Sequence, residues 1–365
     1  MSLSAGIVGL PNVGKSTVFN AITAAGAESA NYPFCTIEPN IGVVDVPDSR
    51  LELIHGFIKT DRVLPATVKV VDIAGLVKGA SKGEGLGNKF LGNIKETDAI
   101  LHVVRCFEDD DVIHVDGKVD PKSDMEIIEL ELAMVDAETL IKAHDRVAKK
   151  ARAGDKVSIE ERDTFAKAST VIENGQPLRG AAFTDRELEF LRPLFLITLK
   201  PVLFVANVAD DDLQGKSPHV AVVRAHAEET GAELIVLSGS IEGEIAGMES
   251  AEQEIFLEEY GLTETGLDRL ARATYDLLGL RTFFTAGEKE IRAWTFHEGW
   301  TAPQAAGVIH TDFEKLFIRA EVYQVDDLVE YESEASIKAA GKLKVEGRDF
   351  VMTDGCVCHF LIGKN

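Results

Sequence analysis

Residues 9–16 read Gly9-Leu-Pro-Asn-Val-Gly14-Lys15-Ser16 and match the phosphate-binding loop pattern G-x-x-x-x-G-K-[ST] at every fixed position. Residues 5–9 predict a short buried strand before the loop, and residues 15–24 predict a helix with one apolar face after it. Glycines let backbone N–H groups curve around a phosphate, and the first turn of a helix adds partial positive charge. The order strand, loop, helix therefore predicts a P-loop nucleotide-binding fold.

The same loop supplies the groups that bind phosphate and Mg²⁺. Lys15 can reach the β- and γ-phosphates, and the Ser16 hydroxyl can coordinate Mg²⁺. The candidate nucleotide-binding residues of the loop are Asn12, Val13, Gly14, Lys15, Ser16 and Thr17. These residues predict a nucleotide site with Mg²⁺ as its cofactor.

Continuous apolar runs predict the other strands of the sheet. They occupy residues 67–73, 99–104, 202–206 and 233–237, with helical stretches between them. Strands that are apolar on both faces are typical of a parallel sheet covered by helices on both sides. We therefore predict an α/β fold with a mostly parallel sheet.

The composition is that of a globular protein. The chain has 365 residues, 45 % of them hydrophobic, and no apolar run is long enough to span a bilayer. The N-terminus lacks the basic region of a secretory signal and the four cysteines lack zinc-type spacing, so we expect a cytoplasmic protein with reduced thiols and no membrane contact. A net charge of −23 argues against general nucleic-acid binding, which needs local lysine and arginine.

Residues 123–198 interrupt the α/β pattern with helical periodicity, which predicts a helical coiled-coil hairpin inserted into the sheet domain. The predicted seam of its first helix consists of Ile127, Leu130, Met134, Ala137, Ile141, His144 and Ala148. The densest basic cluster of the chain lies at the end of this helix and consists of Lys142, Arg146, Lys149, Lys150, Arg152 and Lys156. Two interpretations of this basic cluster stay open: a solvated helix face and a binding surface.

The pattern changes again after residue 279. Residues 281–286 and 291–296 predict two strands around a glycine turn, and a helix and further strands follow. This order predicts a compact β-grasp-like module. The predicted domains are residues 1–122 and 199–279 for the two parts of the sheet domain, residues 123–198 for the hairpin and residues 280–365 for the C-terminal module.

Two downstream motifs are typical of nucleotide-dependent switches. Asp72-Ile-Ala-Gly75 ends a strand and fits D-x-x-G, in which the aspartate approaches Mg²⁺ through water and the glycine N–H binds the γ-phosphate. Thr36 lies in the loop where a switch threonine completes Mg²⁺ coordination. The candidate metal ligands are therefore Ser16, Thr36 and Asp72. Leu76 stands where many GTPases carry a water-orienting glutamine, so we expect slow hydrolysis or a substitute group.

The candidate base-binding loop begins at Asn207, where Asn207-Val-Ala-Asp210 follows a predicted strand. GTPases carry N-K-x-D at this place, and here Val208 replaces the lysine. Ser238 opens the loop after the next strand, where a last base contact would lie. Asp210 is the residue type that reads guanine, whereas the missing lysine argues for adenine.

Several long motifs carry a resemblance to a known family. Residues 31–40 (Asn-Tyr-Pro-Phe-Cys-Thr-Ile-Glu-Pro-Asn) and residues 72–90, from Asp72-Ile-Ala-Gly-Leu to Gly-Asn-Lys-Phe90, resemble the switch loops of the Obg-like ATPase family, YchF subfamily. Residues 104–111 and 311–321 are also similar to that subfamily, and the resemblance covers essentially the whole chain.

The resemblance implies a G domain, an inserted coiled coil and a C-terminal TGS domain. It further implies hydrolysis of ATP in preference to GTP and association with the ribosome, either the large subunit or the 70S particle. It proposes His114 as the group that replaces the missing glutamine, so that His114, Lys15 and Gly75 are the candidate catalytic residues. His102 lies inside a predicted strand and is expected to be a core residue.

Asn12 stands where potassium-stimulated relatives place a monovalent-cation ligand, so a potassium requirement is a further hypothesis. The leading interpretation is a slow Mg²⁺-dependent ATPase switch that binds the ribosome and couples its nucleotide state to translation or stress response. Two alternatives remain: a GTPase of the same architecture, and a ribosome- or RNA-binding adaptor whose nucleotide is structural.

Overall fold

The computed structural model describes residues 3–25, 40–73, 92–109 and 117–363. The chain divides into two compact units, of which the first comprises residues 1–44 and 69–274 and the second residues 45–68 and 275–365. The hairpin belongs to the first unit. The grouping of residues 45–68 with the C-terminal part was not predicted, because nothing in their local sequence indicates the strand with which they pair.

The strands of the described ranges are β1 (Ser4–Val8), β2 (Ile41–Val46), β3 (Val63–Leu64), β4 (Ala66–Asp72), β5 (Ala99–Arg105), β6 (Val202–Asn207), β7 (Glu233–Leu237), β8 (Leu280–Ala286), β9 (Ile291–His297), β10 (Phe317–Gln324), β11 (Lys344–Glu346) and β12 (Cys356–Ile362). The helices are α1 (Lys15–Ala25), α2 (Ser49–Phe57), α3 (Pro121–Arg152), α4 (Lys156–Glu173), α5 (Asp185–Leu191), α6 (Pro218–Thr230), α7 (Gly239–Ile245), α8 (Ser250–Glu259), α9 (Gly266–Leu277), α10 (Ala302–Ile309), α11 (Thr311–Leu316), α12 (Val325–Tyr331) and α13 (Glu334–Ala339). None of the helices in these ranges combines the length and the apolar character needed to cross a membrane.

The first sheet has six strands in the order β2-β4-β1-β5-β6-β7. The pairs β1–β4, β1–β5, β5–β6 and β6–β7 are parallel, and every residue of β5 and β6 is buried. The predicted parallel sheet and its strands are thus confirmed. Arg105 lies opposite Asn207, and Asn207 lies opposite Leu237, so the carboxyl ends of three strands meet at one edge. Ligands bind at this edge of open α/β sheets.

The inserted hairpin consists of α3 and α4, joined by a turn in which Gly154 has a φ of 87°. Asp120 caps α3 through the Ser123 N–H, and Asp155 caps α4 through the Ser158 N–H. The core of the hairpin contains Leu140, Ala143, Val147, Phe165, Ala168, Leu178, Leu191 and Leu196. The predicted hairpin is therefore present.

The predicted seam of α3 is in the wrong register. Leu130 is 61 % exposed and Ile141 is 59 % exposed, whereas Leu132 and Leu140 are buried. The helix carries two apolar stripes. In its second half the buried stripe is Leu140, Ala143 and Val147, each one position before a residue of the predicted seam, and it lies in one core with Phe165 of α4. Periodicity alone could not choose between them, because both have the same spacing.

The second unit contains a mixed sheet in the order β11-β10-β12-β8-β9-β3. Strands β8 and β9 form the predicted antiparallel hairpin, β10 pairs antiparallel with β12, and β12 lies parallel to β8. The core packs Phe283 and Phe296 against three alanines of α10, which begins with a capping box at Thr301. The predicted strands and the intervening helix are confirmed, and the assignment to a TGS domain stays a prediction.

Candidate nucleotide-binding site

The loop between β1 and α1 has the backbone that a phosphate-binding loop requires. Asn12 and Gly14 have positive φ values of 62° and 92°. A Cβ atom at Gly9 would lie 2.6 Å from the Val103 carbonyl oxygen, and one at Gly14 would lie 2.0 Å from Asn207 Nδ2. Both positions therefore exclude any side chain, because the loop passes directly over the ends of β5 and β6.

Lys15 and Ser16 begin α1 at the edge where the strands end. Lys15 is buried, at 8 % exposure, whereas Ser16 and Thr17 are exposed. Burial lowers the pKa of the Lys15 ammonium from its usual 10.5, and the nearby Asp72 carboxylate opposes this shift. An ammonium that has lost much of its hydration and faces a single carboxylate is poised to pair with an incoming phosphate.

Asp72 is the last residue of β4, and the residues around it fit a Mg²⁺ ion. Its Oδ1 atom is buried and lacks a hydrogen-bond partner within the described ranges. The described ranges contain no cluster of three His, Cys, Asp or Glu side chains that could hold a metal by themselves. Mg²⁺ in nucleotide sites takes one or two protein oxygens and completes its shell with phosphate and water. One orphaned carboxylate oxygen and the Ser16 hydroxyl match that requirement.

Asn207 joins the two loops that flank the site. Its Nδ2 donates a hydrogen bond to the Val13 carbonyl oxygen at 2.9 Å, and its Oδ1 accepts one from the Gly239 N–H at 2.9 Å. The side chain is buried at 4 % exposure. Asn207 therefore holds the phosphate-binding loop against the start of α7, a bracing role that the sequence analysis did not foresee.

Asp210 and Ser238, both predicted base-loop residues, are in direct contact. Asp210 Oδ1 accepts hydrogen bonds from the hydroxyls of Ser238 at 2.7 Å and Ser240 at 2.6 Å. Val208, the replacement for the usual lysine, is 3 % exposed, and its N–H donates to the Leu237 carbonyl oxygen. The carboxylate is thus exposed to solvent but fixed by two hydroxyl donors on one oxygen.

Thr36, Gly75 and His114 lie outside the described residues, as do Cys35 and Leu76. Their predicted roles stay predictions. The residues that the structure does bring together are Asn12, Val13, Gly14, Lys15, Ser16, Thr17, Asp72, Asn207, Val208, Asp210 and Ser238.

Arg105 is a buried charged residue near the strand ends that the sequence motifs did not indicate. It ends β5, is 1 % exposed, and donates from Nε to the Phe107 carbonyl oxygen at 3.0 Å and from Nη2 to the Asp109 carbonyl oxygen at 3.3 Å. Its guanidinium lies 4.5 Å from the centroid of the Phe107 ring. These bonds fix residues 107–109 after the strand. A charged residue at the end of a fully buried strand is the signal that could have identified it.

The base of the hairpin is held by buried polar contacts. Asp136 of α3 accepts hydrogen bonds from the N–H groups of Ile197 and Thr198 and from the Thr198 hydroxyl, at 2.9, 2.7 and 2.8 Å. Glu129 Oε1 lies 3.2 Å from both Arg179 Nη2 and His226 Nε2. The hydrogen bond to Glu129 raises the pKa of His226. The contact with His226 attaches α3 to α6, and the contacts of Asp136 attach it to the segment that leads into β6.

The six residues of the basic cluster are all exposed. Lys142 lies 3.6 Å from Glu138 one turn earlier, whereas Lys149, Lys150 and Arg152 occupy the last turn of α3. Exposure on the last turn of a long hairpin leaves these cations accessible to an external partner.

Comparison with known proteins gives full-length similarities. Residues 4–151 match the family described as "50S ribosome-binding GTPase", and residues 280–363 match the C-terminal YchF-GTPase family, described as a protein of unknown function. The chain is 52 % identical over 362 residues to "Ribosome-binding ATPase YchF" of Bacillus subtilis (strain 168), with 99 % of each chain covered. It is 51 % identical over 361 residues to the protein of the same name from Escherichia coli O157:H7, again with 99 % of each covered. The solved structure of the Schizosaccharomyces pombe YchF GTPase matches with a TM-score of 0.90 at 39 % identity, covering 99 % of this chain and 98 % of that one.

Proposed function

The chain belongs to the YchF family, and from this premise we propose that it is a Mg²⁺-dependent P-loop triphosphatase that hydrolyses ATP and binds the ribosome. Family membership confirms the resemblance inferred from the switch-loop motifs. The observation that carries the proposal is a buried Lys15 at the end of the phosphate-binding loop, under the electrostatic influence of Asp72, whose Oδ1 atom lacks a hydrogen-bond partner within the described ranges. The proposal includes a cytoplasmic location, which the ribosome-binding relatives support.

Each site residue has a role in phosphoryl transfer. The amides of the loop residues hold the phosphates, Lys15 pairs with the β- and γ-phosphate oxygens, and Ser16, Thr36 and Asp72 hold the metal. Mg²⁺ supplies positive charge where the transferred phosphoryl group develops negative charge. The Gly75 N–H binds the γ-phosphate, and His114 orients the attacking water in place of the absent glutamine. In this proposal Asn12 also binds a K⁺ ion, which equal hydrolysis rates in Na⁺ and K⁺ would contradict.

The surroundings of Asp210 favour ATP over GTP. Guanine recognition needs two carboxylate oxygens, one for the base N1–H and one for the exocyclic amine. Oδ1 of Asp210 already accepts two hydroxyl hydrogen bonds, and no lysine stem is present at position 208 to pack over the base. The GTPase alternative rests on the identity of Asp210 and on the descriptions of the matched family model and of the Schizosaccharomyces pombe structure as GTPases.

Titration calorimetry of the nucleotide-free protein with Mg²⁺–ATP and Mg²⁺–GTP in potassium buffer tests this proposal. We expect tighter ATP binding, its loss in Lys15→Met, and no change in the control Lys69→Met, an exposed lysine on β4. Removing a hydroxyl donor with Ser240→Ala should bring GTP affinity closer to ATP affinity. Tighter GTP binding by the unchanged protein would replace the ATPase with the GTPase alternative.

The basic cluster is the proposed contact with ribosomal RNA, on the large subunit or the 70S particle, with the TGS module as a second contact. Reversing charge in Lys149→Glu/Lys150→Glu should weaken association with purified ribosomes and reduce its salt dependence. The control Lys118→Glu/Lys122→Glu makes the same charge change near the other end of α3, where both lysines are exposed. Equal effects of the two double variants would mean that net charge, and not this surface, governs binding.

The same variants and ribosome-binding assay distinguish the adaptor alternative from a nucleotide-dependent switch. The adaptor alternative predicts that added nucleotide does not change ribosome affinity, either in the unchanged protein or in Lys15→Met, although Lys15→Met abolishes turnover. That result would show that hydrolysis and ribosome binding are uncoupled. A switch instead predicts that ATP changes the ribosome affinity of the unchanged protein and has no effect on Lys15→Met.

A further inference from the structure

An acidic segment follows β7 in the sheet domain. It runs from the middle of α7 through α8 to the start of α9, residues 242–268, and contains no lysine or arginine. Its carboxylates are Glu242, Glu244, Glu249, Glu252, Glu254, Glu258, Glu259, Glu264 and Asp268. We call this segment the acidic platform.

Hydrogen bonds join the two ends of the acidic platform. Glu242 is 3 % exposed, and its two carboxylate oxygens accept hydrogen bonds from the N–H groups of Gly266 at 2.7 Å and Leu267 at 3.1 Å. Glu264 forms an ion pair with Arg272 of α9. Leu257 anchors α8 inward at 9 % exposure. These contacts hold the acidic platform as an ordered element, so its outer face has a defined shape.

The outer face of α8 presents an apolar side chain to solvent. Ile255 is 68 % exposed, which is the highest value among the large apolar residues of the described ranges. Glu252, Glu258 and Glu259 are three or four positions away and therefore surround it on the helix surface. Phe256 contacts the Tyr260 ring, with centroids 4.8 Å apart, and Tyr260 is 39 % exposed. An apolar centre within a ring of carboxylates is the arrangement found at protein interfaces, where an apolar core is enclosed by a polar rim.

We propose that the acidic platform is a docking site for a cationic protein segment that carries an apolar side chain. The apolar side chain packs on Ile255, and lysine or arginine side chains pair with Glu252, Glu258 and Glu259. RNA cannot be the occupant, because its phosphates would meet only carboxylates here. The acidic platform thus adds a protein-binding surface to the proposed ribosome-binding ATPase, complementary in charge to the basic cluster of the hairpin and independent of the nucleotide site.

Fluorescence anisotropy with the full chain tests the docking site. The probe is a fluorescein-labelled peptide of sequence (Lys-Lys-Leu-Lys)₃, and its control is (Lys-Lys-Gly-Lys)₃. We expect Ile255→Ser and Glu258→Gln/Glu259→Gln each to weaken binding of the leucine peptide about fivefold at low salt, and the glycine peptide to bind more weakly than the leucine peptide.

Matched variants separate a local site from general charge attraction. Glu228→Gln/Glu229→Gln neutralises another exposed pair at the end of α6, and Val157→Ser removes an exposed apolar side chain beside Lys156. Neither should change binding, and all variants should keep the circular dichroism spectrum and melting temperature of the unchanged protein. Equal weakening by both glutamate pairs, equal binding of the two peptides, or self-association of the chain that Lys149→Glu/Lys150→Glu abolishes would each overturn the proposal.

Discussion

His102 provides a quantitative test of the buried polar contacts at the base of the hairpin. It lies in β5 at 3 % exposure, with its ring centroid 5.3 Å from that of Phe204. Burial lowers the pKa of its imidazole from 6.5 to about 4, with the charges of Glu129 opposing this shift and those of His226 and Arg179 adding to it. His102 should therefore remain neutral in the folded protein across the range in which an unfolded chain becomes protonated.

The sign and size of the effect follow from proton linkage. Because the folded pKa is the lower one, unfolding takes up a proton below pH 6.5, and acid favours the unfolded chain. With pKa values of 6.5 and about 4, acidification from pH 7 to pH 5 should remove about 2 kcal/mol of unfolding free energy, and the full loss below pH 4 should be about 3 kcal/mol. His226 acts in the opposite direction: its raised pKa gives stability that is present below pH 6.5 and lost as the pH rises through the folded value.

Urea unfolding of the unchanged protein and of His102→Leu, at pH 7 and pH 5, measures this contribution. Circular dichroism is the appropriate signal, because both tryptophans, Trp294 and Trp300, lie in the second unit and would not report on β5. The variant should lose about 2 kcal/mol less stability between the two pH values than the unchanged protein. His144→Leu, which changes a histidine on the hairpin surface, should lose as much as the unchanged protein. An identical pH dependence in His102→Leu and the unchanged protein would refute the reasoning.

Two further predictions concern buried hydrogen bonds. Asn207→Ala should lower the free energy of unfolding by about 2–3 kcal/mol and weaken Mg²⁺–ATP binding, because it removes the side chain that links Val13 to Gly239. Urea unfolding and titration calorimetry measure the two effects, with Asn174→Ala at the exposed end of α4 as the control. Unchanged ATP affinity would contradict the bracing role. Asp136→Ala should lower the free energy of unfolding by about 3–5 kcal/mol, because it leaves two N–H groups and a hydroxyl without their acceptor. A decrease of less than about 1 kcal/mol in the same urea assay would show that water replaces the carboxylate.

The elements that the sequence predicts are those encoded by local pattern. The phosphate-binding loop is a contiguous motif, and β5 and β6 are short, predominantly apolar runs, so a short window contains the whole signal. The register of α3 cannot be predicted from a short window of sequence. Its two apolar stripes have the same period, and the packing partners that decide which one is buried, Phe165 among them, lie far along the chain. Residues 45–68 join the second unit through β3, whose two residues pair with β9 more than 200 positions later in the chain.

For single residues of the candidate site, too, the sequence predicts the position but not the contacts of the side chain. The sequence identified Asn207 and Asp210 from their spacing, which fixes where they lie because Asn207 ends β6 and Asp210 follows it at the edge of the sheet. It could not indicate what their side chains are free to do. Asn207 uses its amide on Val13 and Gly239, and Asp210 uses one carboxylate oxygen on Ser238 and Ser240. A motif therefore specifies the location of a hydrogen-bonding group, whereas the neighbours brought together by folding determine how much of its capacity remains for a ligand. Under the proposed function, the purine preference of this chain depends on that remaining capacity, and an aspartate at position 210 does not by itself select guanine.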